Sequence, residues 1–355
     1  MDFEWNKYKL TTQMKFDSPL EYILILPDQE KILITYKSSI NIYNIKTLQE
    51  EGKITLENIE KIENLYLLKR GLISICTKNS ILLIELNKDN TYKIFQTIEL
   101  TDIEENKEFV YLIELKNSNL CILTKHKIFI YKLDKNNFYK IDFSLVEDYC
   151  SKYGNEKGEN ISCIELIYPE KNIENKIASY LHNVSHLSFW DLNERKKINH
   201  TNDNYCNSYD LKNVFCLMEK GKYLLCACID EAIEFYSTET CKLIKILYDP
   251  YWHITVLKLN ENQILSGGDY GNITFYEFNY EHEYFKKEQV ALTFEQSEKV
   301  EKTVNLEIPE EFKEKNEKYG HANAMNEIRR FGNTIISTSC YEDNDCSFVC
   351  FWNKK

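Results

Sequence analysis

Short apolar runs recur along the whole chain, separated by tight polar turns, and within each run apolar and polar residues alternate with the period of two that marks a half-buried β-strand. One unit repeats: an apolar strand, a brief polar turn, then a second strand ending on a bulky residue. The copies read LITYKSSINIYNI (33–45), LISICTKNSILLIEL (72–86), LCILTKHKIFIYKL (120–133), IASYLHNVSHLSFWDL (177–192), LLCACIDEAIEFYSTET (224–240), ILSGGDYGNITFYEF (264–278) and IISTSCYEDNDCSFVCFW (335–352). The closing position falls on Tyr43, Ile84, Tyr131, Trp190, Tyr236, Tyr276 and Trp352, at spacings of 41, 47, 59, 46, 40 and 76 residues. Each copy is preceded by one more apolar strand, such as EYILIL, FVYLIEL or ISCIELIY, and most are followed by a polar one, such as EEGKITL, YKIFQTIEL or CKLIKIL. That makes four strands per repeat. A lone four-stranded sheet cannot bury both faces, whereas sheets packed radially bury them and leave only short edges.

The pattern therefore predicts an all-β, seven-bladed β-propeller of four-stranded antiparallel blades in a single domain, 1–355. The expected blades are 15–56, 57–100, 101–144, 145–200, 201–248 and 249–290, followed by an insertion at 291–319 and a last blade at 320–355. The last copy ends at Trp352 and lacks an outer strand. WNKYKLTTQM (5–14) is the spare strand expected to supply it and close the ring.

Several residues resemble the WD40-repeat family: Trp190-Asp191 in FWDL, SGGDYGNITFY at 266–276, and Gly320-His321 ahead of IISTS…FW. The match spans nearly the whole chain in degenerate form. One copy keeps the Trp-Asp dipeptide, His321 stands in the one Gly-His opening, and the family's buried His–Ser–Asp–Trp set is complete in no copy. Asp230 fills the Asp position of the fifth copy, where Tyr236 replaces the Trp, and Tyr270 takes the Asp position of the sixth. A kelch-type propeller is the runner-up, although its Gly-Gly doublets are missing from most copies.

The resemblance implies binding at a top face built by the loops between blades and the turns between second and third strands. The turn position normally held by the structural Asp is Lys37, Lys78 and Lys125 in the first three copies. Three cations along one arc would suit an acidic peptide or a phosphate; Lys is equally a good solvated turn residue in a lysine-rich chain. Tyr251, Trp252, Tyr270 and Tyr341 make another part of the rim aromatic, as interface hot spots are, while Trp252 packed between blades is the competing expectation. Arg329 and Arg330 fall at a first-to-second-strand turn of the lower face.

Composition narrows the function. With 43% apolar and 13% aromatic residues among 355, the chain can bury a sizeable core. Its net charge of −12 argues against general nucleic-acid binding. The scarcity of Arg, Ala and Gly beside 40 Lys reads as coding bias toward A/T-rich codons, which erodes glycine signatures. The sequence shows no secretory signal and no transmembrane run. Cys76, Cys121, Cys216, Cys226, Cys228 and Cys350 lie in apolar strands, so free thiols in a reducing cytoplasmic or nuclear compartment are expected, cytoskeletal or ciliary sites included. Neither Cys226-x-Cys228 nor Cys340-x5-Cys346-x3-Cys350 has zinc-site spacing. No metal, cofactor or catalytic set is expected.

Insertions break the repeat at 144–160, 199–209 and about 288–319. The last is rich in Glu and Lys, a composition of mobile segments, and holds one apolar stretch from Val304 expected as a strand or anchor. The function expected is a non-enzymatic protein-interaction scaffold, a subunit of a larger assembly that binds one or more proteins through top-rim loops. Two alternatives stand beside it: a substrate receptor that grips an acidic or phosphorylated peptide for a ubiquitin ligase, and a propeller enzyme.

Overall fold

In a computed structural model, the structure describes residues 8–16, 22–36, 38–57, 59, 61–100, 111–124, 127–146, 161–181, 186–200, 215–228, 232–248, 253–268, 273–279, 284–289, 302–305, 325–341 and 346–354. Two compact units divide them.

The unit formed by residues 21–167 and 172–207 carries four sheets. Blade 1 consists of β2 (Ile23–Leu26), β3 (Lys31–Tyr36), β4 (Ser39–Asn44) and β5 (Glu50–Thr55); blade 2 of β6 (Ile62–Leu67), β7 (Ile73–Thr77), β8 (Ser80–Leu86) and β9 (Tyr92–Glu99). Blade 3 follows with β10 (Tyr111–Glu114), β11 (Leu120–Leu123), β12 (Lys127–Leu133) and β13 (Tyr139–Val146). Blade 4 has β14 (Ile161–Tyr168), β15 (Ile173–Leu181), β16 (His186–Asp191) and β17 (Lys196–His200).

The other unit, residues 1–20, 168–171 and 208–355, holds three sheets. Blade 5 contains β18 (Phe215–Met218), β19 (Tyr223–Cys228), β20 (Ala232–Ser237) and β21 (Leu243–Tyr248). Blade 6 contains β22 (His253–Lys258), β23 (Gln263–Gly268), β24 (Ile273–Asn279) and β25 (Tyr284–Gln289). Blade 7 is built differently. Its contiguous strands β27 (Met325–Phe331), β28 (Thr334–Tyr341) and β29 (Cys346–Lys354) are completed by β1 (Tyr8–Phe16), which runs antiparallel to β29 from Tyr8↔Lys354 to Phe16↔Ser347. Seven such sheets in strand order are a seven-bladed β-propeller, and the N-terminal strand supplies the missing outer strand as Tyr8–Phe16 where 5–14 was expected. The strands also run into the expected insertions: β13 to Val146, β17 to His200, and β25 to Gln289.

Burial explains the strand compositions. The second and third strands are covered on both faces and read as continuous apolar runs, as in ISICT and LCIL, every residue of which is buried. Outer strands are wetter: in β5 only Ile54 is buried. Apolar layers form between neighbouring blades of a unit. One joins Leu33, Ile40, Ile42 and Ile54 of blade 1 to Ile62, Ile73, Ile75 and Ile84 of blade 2. Comparable layers join blades 2 and 3, 3 and 4, and 5 and 6.

One irregularity recurs in register. Opposite the closing position, the outer strand skips a residue: Tyr43, Ile84, Tyr131, Trp190, Tyr236 and Trp352 pair with Glu50, Ile94, Ile141, Lys197, Leu243 and Leu10, and the following outer residue is bulged out of the ladder. Blade 6 pairs Tyr276 with Lys287 without a skip. The turns repeat as well. Between third and fourth strands, Leu48, Asn90, Asn137, Arg195 and Cys241 each adopt positive φ, a conformation that favours glycine. In a glycine-poor chain, Asn fills two of the five places, since its short polar side chain tolerates that region best.

Candidate interaction surface

In blades 1 to 5 and 7 the closing positions settle into two chemistries. Trp190 and Trp352 are buried, and their indole N–H groups donate to Ser179 Oγ at 3.0 Å and Ser337 Oγ at 2.7 Å. Each Ser lies two residues beyond the one paired with the Trp, on the same face of the second strand. Where Tyr or Ile closes blades 1, 2, 3 and 5, that place holds Ile34, Ile75, Ile122 or Cys226, all buried. A buried tyrosine hydroxyl finds its partner elsewhere: Tyr236 donates to Glu234 Oε2 at 2.6 Å, on its own strand. Tyr131 is only half-buried; Tyr43, Ile84 and Tyr276 are buried. Asp191 caps its turn, with Oδ1 accepting from the N–H of Asn193 and of Glu194, both at 2.9 Å. Asn44 does the same for Lys46 and Thr47. Asp230 and His321 lie outside the described residues.

The second-to-third-strand turns carry the predicted cations. In blade 2, Thr77 Oγ1 accepts from Ser80 N at 3.1 Å and donates to Ser80 O at 2.9 Å, and Lys78, exposed, sits between them. In blade 3 the same pair of bonds links Thr124 and Lys127, each at 3.1 Å. In blade 1 the ladder ends at Tyr36↔Ser39. In all three turns, two residues separate the flanking pair, and the first of the two is Lys37, Lys78 or Lys125. Lys37 and Lys125 themselves lie outside the described residues, as do Tyr251, Trp252 and Tyr270. Tyr341 ends β28, its backbone paired with Cys346. Arg329 and Arg330 lie near the end of β27, and Arg330 Nε donates to Gly332 O at 3.0 Å.

A blade-to-blade clasp escaped the sequence reading. At the first-to-second-strand turn of one blade, a lysine main-chain N–H donates to a carboxylate of the next: Lys69 to Glu114 Oε2, Lys116 to Glu165 Oε2 at 2.6 Å, and Lys220 to Glu261 Oε2 at 2.5 Å. Lysine ammonium groups add to it, Lys69 Nζ reaching Leu115 O and Lys258 Nζ reaching Leu217 O. Burial holds the Glu165 carboxyl above the usual carboxylate range, against the Lys116 N–H and the Lys69 and Lys116 charges. The available signal was a glutamate inside the apolar run SCIEL, because a buried carboxylate requires a partner.

Among the described residues, Cys76, Cys121, Cys163, Cys216, Cys226, Cys241 and Cys350 are buried and in no disulfide. Burial pushes the Cys76 and Cys216 thiols up to about 12. No helix of the described residues is long and apolar enough to cross a membrane. Comparison of the chain with protein-family models and with curated proteins finds no match.

Proposed function

We propose that this protein is a WD40-type propeller acting as a non-enzymatic protein-interaction scaffold, a subunit of a larger cytoplasmic or nuclear assembly. The observation that carries the reading is the set of turns in blades 1 to 3. Rigid sheets hold two-residue turns at one register position, side-chain hydrogen bonds lock those of blades 2 and 3, and the described cation, Lys78, is exposed. Sites on turns fixed by a rigid scaffold suit recognition rather than burial of a small substrate. The WD40 assignment draws support from the Trp–Ser pairs and from the turn-capping Asp191.

The test is cross-linking of the full chain in its source cell, with the linked peptides mapped. Links from one reproducible protein to Lys37, Lys78 and Lys125 are expected. Links spread evenly over the surface lysines would contradict the reading. A second reading, a substrate receptor for acidic or phosphorylated peptides, rests on the same exposed Lys78. Titrating phosphorylated and unphosphorylated forms of one acidic peptide decides it: equal, negligible binding of both would remove it.

A further inference from the structure

The sheet of blade 7 has a fifth strand. β26 (Lys302–Asn305) lies beyond β1 and runs parallel to it, with Thr12↔Lys302, Gln13↔Thr303, Met14↔Val304 and Lys15↔Asn305. The sequence placed a strand or anchor from Val304 onward; the paired segment begins two residues earlier. In the six other sheets, β5, β9, β13, β17, β21 and β25 end the order, with no further strand among the described residues.

A sheet edge presents a row of main-chain donors and acceptors that can take up another extended segment. No turn ties β1 to β29, so the ladder and the burial of Met14 and Phe16 hold it in the sheet. β26 pairs with the half of β1 that follows its bulge, and that half includes fully buried Met14. The pairing spans four residues and is parallel, a geometry slightly weaker per residue than the antiparallel one. The segment that donates it, 295–319, holds eight Glu and five Lys, leaving little apolar surface to compete for burial elsewhere.

We infer that the outer edge of β1 is a strand-docking site whose occupant is this chain's own residues 302–305, a displaceable latch over the closing strand. The inference rests on backbone register alone and stands apart from the lysine turns. Tethering favours the resident strand, because a linked segment acts at a high effective concentration. A free peptide of the same sequence must therefore be supplied in excess to displace it.

Hydrogen–deuterium exchange on the full chain tests this, alone and with a synthetic peptide of residues 299–308, for the native protein and for Val304→Pro, which places a strand-disfavouring residue in β26. In the native chain, 302–305 and the edge of 12–15 are expected to be protected together. In the variant, protection at both is expected to fall by about tenfold or more while β2–β5 is unchanged, and the peptide restores it at 12–15. Free-peptide exchange at 302–305 in the native chain, unchanged protection of 12–15 in the variant, or no rescue by the peptide would overturn the inference. If the variant unfolds throughout, the native chain's joint protection, and its loss from 302–305 when excess peptide is added, decide the matter.

Discussion

Blades 2 and 4 share one plan and close it with opposite chemistry. Blade 4 buries Trp190 with its N–H on Ser179; blade 2 puts Ile84 at the same register opposite Ile73, with Ile75 where the Ser would stand. Both solutions leave the closing site satisfied. A buried indole N–H without an acceptor costs about 1–3 kcal/mol, and so does a buried hydroxyl without a partner. In blade 6, where Tyr276 closes, Ser266 keeps the second-strand place and its hydroxyl donates to Thr255 O at 3.4 Å. Blade 7 adds a second lesson. It keeps the Trp352–Ser337 pair, yet its outer strand comes from the far end of the chain and is held without a turn.

The largest effect therefore belongs to blade 7. Deleting residues 1–16 removes Met14 and Phe16 from the core and strips the β29 edge. About 3–6 kcal/mol of burial is lost, which a large fall in Tm in thermal denaturation should report; an unchanged Tm would mean that β1 contributes nothing. Next comes the Trp–Ser pair. Ser337→Ala should destabilise by about 1–3 kcal/mol in urea titration. Adding Trp352→Phe should then cost less than it does alone, giving a coupling energy of about 1 kcal/mol in the double-mutant cycle. Additive effects would dissolve the contrast between blades 2 and 4. Ile75→Ser in blade 2 should be destabilising, because it plants a hydroxyl where no indole waits.

The clasp carries a pH signature. Burial raises the Glu165 carboxyl in the fold, so the ionised form is disfavoured there relative to the unfolded chain. Its contribution to stability is thus fully present below the ordinary carboxylate range and falls as pH rises through and above that range. Glu165→Gln retains an acceptor for Lys116 N–H, so its Tm relative to the native protein should improve from about pH 4 to about pH 7. A gap that is flat with pH would refute the assignment. The thiols give a simpler readout: with burial pushing Cys76 and Cys216 up to about 12, both should resist iodoacetamide at about pH 8 until urea is added. The smallest effect is expected at Ser118, whose φ is 65° in a first-to-second-strand turn. Ser118→Gly should stabilise by about 1 kcal/mol or less.

The blade register was legible because strand alternation and a bulky closing residue recur in every copy. Tyr43, Tyr236 and Trp352 could be aligned from the chain alone, and opposite each of them the outer strand skips a residue. The Trp–Ser pair was hidden for a different reason. Ser179 in IASYL looks like an ordinary polar residue until the ladder sets it beside Trp190. Glu114, Glu165 and Glu261 were less visible still, because their partners are main-chain N–H groups about 41 to 49 residues away, which carry no letter in the sequence. The turn lysines were readable by position alone. Recognition at such turns is decided by a partner's surface and not by this chain's pattern.

The central claim is that turns of blades 1 to 3 dock a partner protein. Quantitative affinity purification from the source cell, run side by side for the native chain and the Lys37→Glu, Lys78→Glu, Lys125→Glu triple variant, tests it most directly. The account predicts at least one protein recovered with the native chain and depleted about tenfold or more with the variant, at matched Tm. Equal recovery of every co-purifying protein would contradict it.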